Sequence, residues 1–155
     1  MTLVIREAKE ADLPHVLSLY AQPEIDNGKV LSLDEAKQTF RRFADYPDYR
    51  LFVAEEESVV VGSCALLIMD NLGHLGARSG VIEDVVVDPE RQGAGIGGAL
   101  IAHALAECRA KGCYKAALSS ARKRERAHAF YETLGFERHG YSFLLEMKAD
   151  DQRWE

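Results

Sequence analysis

The chain has little cysteine, little charge of either sign in blocks, and no long apolar run. Cys64, Cys108 and Cys113 are the only cysteines, an odd number without metal-ligand spacing. That excludes a disulfide framework and reads as reduced, mostly buried thiols of a cytoplasmic protein. No stretch of eighteen apolar residues occurs, which excludes a membrane-spanning helix and a membrane partner. Lys and Arg number 19 against 25 Asp and Glu, a net charge of −6, so nucleic acid is not expected as a partner. The five histidines lack ligand spacing, and no metal site is expected. Repeats, linkers and low-complexity runs are missing too. What remains is 155 residues with an ordinary apolar share, one domain long. Residues 1–148 read as that domain and 149–155 as a polar tail on which Trp154 could dock.

The most informative segment runs from Val85 to Leu100. An apolar strand enters a turn with Gly93, Gly95, Gly97 and Gly98, and a helix follows at once. Glycines let a ligand approach the backbone, and a helix start offers unpaired N–H groups at the positive end of its dipole. Together they form a cradle for phosphate or pyrophosphate. Two common cradles do not fit. A dinucleotide fingerprint needs a strand directly before the glycines and an acidic residue about 20 positions on. Here residues 88–91 intervene, and residues 113–118 carry no acid. A nucleotide triphosphate loop needs Gly-Lys-Ser/Thr, which is absent.

Residues 91–97, Arg-Gln-Gly-Ala-Gly-Ile-Gly, resemble the acetyl-coenzyme A loop of the GNAT N-acetyltransferases, with Gln92, Gly95 and Gly97 on the motif. Downstream, Phe130-Tyr131-Glu132-Thr133-Leu134-Gly135-Phe136 is similar to the family's Phe-Tyr-Glu-x-x-Gly-Phe block. The resemblance covers nearly the whole chain. It implies an α/β GNAT fold: a single mixed, mostly antiparallel sheet of six to seven strands, helices on both faces, and splayed strands 4 and 5 with the cofactor arm in the gap. It also implies that N–H groups of Gln92, Gly93, Ala94, Gly95, Ile96, Gly97 and Gly98 hold the pyrophosphate of acetyl-CoA. A backbone N–H among Val85, Val86 and Val87 would bind the acetyl carbonyl, and Tyr131 would protonate the leaving thiolate. As a plain pattern, Ala127, Phe130, Tyr131 and Leu134 equally make an apolar helix face without chemistry. Where the family often has Asn, this chain has Arg124; Arg122, Lys123 or Arg124 could instead meet the nucleotide phosphate, or form a solvated basic turn.

The periodicity agrees in outline. Strands are predicted at residues 3–6, 51–54, 59–68, 81–87, 115–119 and 141–148. Helices are predicted after Asp12, a possible cap; after the Ser32-x-x-Glu35 capping box; from Ile96 to near Gly112; and over residues 125–134.

Acetyl transfer to an alkyl amine needs the amine neutral, although its pKa is near 10, so a nearby proton acceptor helps. Glu83 and Asp84 are the candidates, two acids in an otherwise apolar strand. Simple alternation puts them on opposite faces, so one reaches the cleft unless a bulge re-aims the strand. Asp84 is favoured, with Val85 and Val87 taken as the core-facing pair; both acids as purely structural is the plainer alternative.

The acceptor is less legible. Residues 80–87 with 112–115 are similar to glucosamine-6-phosphate N-acetyltransferases, although Val81 stands where those have His. Lys123, Arg124, Ala127, His128, Phe130 and Tyr131 look more like bacterial small-amine, including aminoalkylphosphonate, acetyltransferases. Both comparisons point to a small amine bearing an anion, with Lys29, Arg50 and Arg78 as candidate anion partners. His139 could line the acceptor pocket. A protein N-terminal or lysine acetyltransferase would use the same core, and a noncatalytic acetyl-CoA sensor would need none of the acids. Pairing into a homodimer through the last strands is a further expectation.

Overall fold

The computed structural model describes residues 2–147. Lys148 and the predicted tail, Trp154 included, lie outside the described residues. Two compact units emerge, residues 1–118 and 119–155.

The first unit holds one sheet. Its strands are β1 (Leu3–Glu7), β2 (Tyr49–Glu56), β3 (Val59–Met69), β4 (Arg78–Val87) and β5 (Cys113–Ala117), paired in that order. The first three pairings are antiparallel; β4 and β5 run parallel. Helices α1 (Leu13–Tyr20) and α2 (Leu33–Arg42) precede β2, and α3 (Ile96–Ala110) connects β4 to β5. A parallel pair needs such a crossover. The second unit contains α4 (Glu125–Thr133).

β3 is buried along nearly its whole length because both of its faces are covered. On one face Leu13, Val16 and Leu19 of α1 and Ala36 of α2 pack with Leu51, Val53, Val60, Ala65 and Val86. On the other, α3 presents Leu100, Ile101 and Ala104, all fully buried. Two glycines let α3 lie close. A Cβ on Gly62 would stand 3.0 Å from Ile96, and one on Gly80 would stand 2.5 Å from Cys108 Sγ. Gly80→Ala is expected to cost about 1–3 kcal/mol by overpacking. Chemical denaturation measures this, and adding Cys108→Ala should recover most of the loss.

The Ser32 capping box forms as expected: Glu35 N–H donates to Ser32 Oγ at 3.2 Å, and Ser32 N–H donates to Glu35 Oε1 at 3.2 Å. Asp12 does something different from capping α1. Its side chain makes no cap hydrogen bond there. It accepts from Arg6 at 2.8 and 2.9 Å and from Lys9 N–H at 2.7 Å. A guanidinium within reach outcompetes the helix N–H groups, because charge-assisted bonds are the stronger. Arg6 also donates to Glu55 at 2.9 Å, fixing the start of α1 to the β1–β2 edge. The Arg6 hydrogen bond holds the Asp12 carboxyl below its ordinary pKa. A depressed folded pKa stabilises the fold above the unfolded value, about 3.9, and that contribution is lost as pH falls through the folded pKa. Asp12→Asn should therefore lower stability by about 1–3 kcal/mol at pH 7 and by much less below about pH 4. Denaturation curves at the two pH values check this.

The strand count is five among the described residues, not six to seven. The missing element is the predicted last strand: residues 141–147 form none. Their alternation is that of a strand, but a strand also needs a neighbour for its N–H and C=O groups. The splay is present. β4 pairs β5 only from Arg78 to Val81, and Ile82 through Val87 have no β5 partner.

Candidate active site

The divergence of β4 from β5 coincides with an irregularity on the other edge of β4. Ser63 faces Val86 and Ala65 faces Glu83, so Cys64 alone faces both Asp84 and Val85. This is a β-bulge, with Asp84 in the left-handed region at φ +52°. The extra residue breaks the simple alternation on which the face assignment of the two acids rests. Glu83 shares the face of Ala65, on the α1–α2 side. The charges of both Glu83 and Asp84 act on Tyr49, and that of Asp84 also acts on Tyr20 at the end of α1. The bulge changes the valines too: Val86 joins the α1–α2 core, and Val85 and Val87 are only half-buried. They are therefore not the buried pair.

Both carboxyls are shifted toward holding a proton. Partial desolvation raises Glu83 first and the neighbouring Asp84 charge second. Desolvation also leads for Asp84, followed by the charge of Asp26 in the loop after α1. Close aromatic residues complete this region. The ring of Tyr49 stacks on Phe43 at 4.1 Å and meets Tyr46 edge-on at 5.1 Å. The Tyr20 phenol bonds Ser63, and burial pushes its pKa well above the usual value. The Gln22 side chain ties the same loop to β4, its Nε2 donating to the Val87 carbonyl at 3.1 Å. Sequence reasoning missed Tyr20, Tyr46 and Tyr49. Tyr20 completes the apolar face of α1 and so reads as core; nothing local announces its approach to Asp84.

After β4 the chain makes a short turn at Pro89–Arg91. Asp88 caps it by accepting from Glu90 N–H at 3.0 Å, and Arg91 is held by Asp88 at 2.7 Å and Glu56 at 3.5 Å. The glycine loop starts from this fixed point. Gly93 and Gly95 lie at φ +86° and +84°, and a Cβ on either would meet open space. Packing therefore does not demand glycine there; the backbone angle does, and the missing side chains leave the loop's surface bare. Gly95 caps α3, whose first N–H groups, those of Ile96, Gly97 and Gly98, have no partners within the helix. The Ile96 side chain is buried in the core, so only its backbone is available. The loop thus fits an anionic group. A surface depression of about 460 Å³ also borders it, but Glu56, Glu57 and Glu90 line that depression and disfavour an anion.

The second unit holds Tyr131 and Arg124. Tyr131 is half-buried between Phe130 and Phe136, with ring centroids 5.4 and 6.1 Å away. Burial raises its phenol pKa, and Arg124 acts in the opposite sense. Arg124 stands at the N-cap position of α4 and is exposed. His128 Nε2 bonds the Ala121 carbonyl at 2.7 Å, and His139 is exposed. Two of the candidate anion partners are already committed. Arg50 is shared among Glu7, Asp48 and Glu107 at 3.3, 3.2 and 3.2 Å, and Arg78 pairs with Asp70 at 3.2 Å. Lys29 is exposed in the loop that carries Asp26.

A split sheet with two carboxyls shifted toward holding a proton beside a bulge, followed by a loop that fits an anion, is an arrangement suited to group transfer. A model of the acetyltransferase (GNAT) family matches residues 13–136. A glucosamine 6-phosphate N-acetyltransferase of Trypanosoma brucei brucei is 41% identical over 98 residues, 63% of this chain and 65% of that protein. The chain thus matches just under two thirds of that relative's length. Among solved structures, a Trypanosoma brucei acetyltransferase is 34% identical, with a TM-score of 0.78 over 94% of this chain and 100% of that one. An Agrobacterium tumefaciens str. C58 chain, assigned as an acetyltransferase, is 32% identical with a TM-score of 0.86 over 93% and 99%. The chain belongs to the GNAT acetyltransferase family. No helix among the described residues is long and apolar enough to cross a membrane.

Proposed function

We propose that this enzyme moves the acetyl group of acetyl-CoA directly to the primary amine of a small molecule, with residues 1–148 acting as one transferase domain. The observation that carries this reading is the bulge at Asp84. It interrupts the regular alternation of β4 at its two acids, where β5 has already parted from that strand, and this supports a proton acceptor at the cleft. Asp84 takes the proton from the incoming ammonium, with Glu83 as its neighbour and second candidate. A backbone N–H among Val85, Val86 and Val87 donates to the acetyl carbonyl, whose oxygen gains charge as the amine attacks. The N–H groups of Gln92 through Gly98 hold the pyrophosphate. Tyr131 returns a proton to the departing thiolate, and Arg124 contacts the donor's phosphates or its pantetheine arm.

The acceptor class takes its support from the glucosamine 6-phosphate relative, which acts on a phosphorylated amine. With Arg50 and Arg78 engaged, Lys29 is the remaining candidate of the three for an acceptor anion. The test is thiol release from acetyl-CoA against glucosamine 6-phosphate, aminoalkylphosphonates, polyamines, amino acids and short peptides. Saturable release with one small-amine class is expected. Release with peptides alone would replace the acceptor class, and tight acetyl-CoA binding without turnover on any acceptor would leave a sensor.

A further inference from the structure

The glycine loop opens on a tight turn, and one side chain outside the family motif holds that turn in place. Gln92, at φ −65° and ψ 144°, and Gly93, at φ +86°, are the two central residues of a type II turn. Ala94 N–H closes it by donating to the Arg91 carbonyl at 3.3 Å. Arg91 is therefore the first residue of the turn, and whatever fixes Arg91 fixes the direction in which the turn presents its N–H groups.

Three contacts fix it. Arg91 N–H donates to the Asp88 carbonyl at 2.9 Å. Its Nη1 donates to Asp88 Oδ2 at 2.7 Å, and its Nε lies 3.5 Å from Oε1 of Glu56, the last residue of β2. Asp88 is tied to β3 in turn, its N–H donating to the Val61 carbonyl at 2.8 Å. The Arg91 side chain is 36% exposed, and ion pairs so exposed add little to stability. What a planar guanidinium between two carboxylates supplies is orientation. Its charge matters as well. Glu56, Glu57 and Glu90 line the depression beside the loop, and among the described residues that line it Arg91 is the cation.

We propose that Arg91 is a positioning residue for the donor: clamped between Asp88 and Glu56, it holds the Arg91–Ala94 turn in the orientation that suits the loop N–H groups to the pyrophosphate. This rests on the reading of the loop as the pyrophosphate cradle. Donor groups fixed beforehand bind more tightly than groups ordered only on binding. Arg91 touches no reacting atom, so its effect falls on donor binding and not on the chemical step.

The test compares Arg91→Gln, Arg91→Lys and Asp88→Asn by titration calorimetry with acetyl-CoA and by steady-state kinetics. Lysine keeps the charge and loses the fork, which separates position from charge. Asparagine at 88 keeps an oxygen for Glu90 N–H and loses the ion pair. Each variant should raise the acetyl-CoA Kd and KM by about 5- to 20-fold, because the turn must then be ordered as the donor binds. Values of kcat and acceptor KM should stay within about twofold of wild type, a split that a general loss of structure would not give. Arg91→Gln combined with Asp88→Asn should be no worse than either alone, since both break one contact. Wild-type donor affinity in Arg91→Lys overturns the positioning role, as do additive losses in the double variant or a loss confined to kcat. Gly95→Val separates the two levels of the reading. If it weakens donor binding and the Arg91 variants do not, this inference alone fails; if it leaves donor binding unchanged, the cradle fails with it.

Discussion

Asp84→Asn should lower kcat/KM by about 10²- to 10⁴-fold, the range of a lost general base. Asparagine is the right probe because Asp84 sits at φ +52°. Asn tolerates the left-handed region where most residues do not, so the bulge persists while the proton acceptor is lost. Glu83→Gln, one residue away, should have the smaller effect; a larger loss there would exchange the roles of the two acids. The pH profile gives an independent reading. A base works deprotonated, so kcat/KM rises as pH rises through its pKa. Desolvation and Asp26 raise the Asp84 pKa, which places the acid limb above the ordinary carboxylate value of about 3.9. Asp26→Asn removes one of the two causes and should move that limb to lower pH.

Gly95→Val should raise KM for acetyl-CoA by about 10- to 100-fold, while acceptor KM changes little. A β-branched residue at φ +84° is strained by about 1–2 kcal/mol, and its side chain would occupy the open space over the loop. The strain should rotate the Gly95 peptide and with it the first N–H groups of α3, the donors proposed for the pyrophosphate. Gly28→Val is the control: it is also a left-handed glycine, at φ +84°, with open space around its Cβ, but it lies in the loop after α1. A similar loss of stability with an unchanged donor KM is expected there. Equal donor KM values in the two variants would refute the cradle.

Local signals in the sequence reached far. The Ser32 capping box, the α3 boundary and the glycine loop are read from neighbouring residues, and they formed as predicted. Features that depend on distant partners were not legible. The period-two pattern of residues 81–87 contains no mark of a bulge, because one left-handed residue changes the register without changing composition. Asp12 looks like a cap until Arg6, six residues back on β1, claims its carboxylate. Arg50 looks like a free cation until Glu7, Asp48 and Glu107 converge on it. Residues 141–147 alternate as a strand does, yet they form none, because periodicity does not say whether a neighbouring strand is available to take the N–H and C=O groups.

The placement of the cysteines bears on how the enzyme can be assayed. Burial pushes the thiols of Cys64 and Cys108 up to about 12, so at neutral pH almost none of either is thiolate. A disulfide reagent that reports released coenzyme A reacts through thiolates. The native protein therefore contributes a background of about one equivalent per chain, from half-exposed Cys113, and a slow rise beyond that signals unfolding rather than turnover.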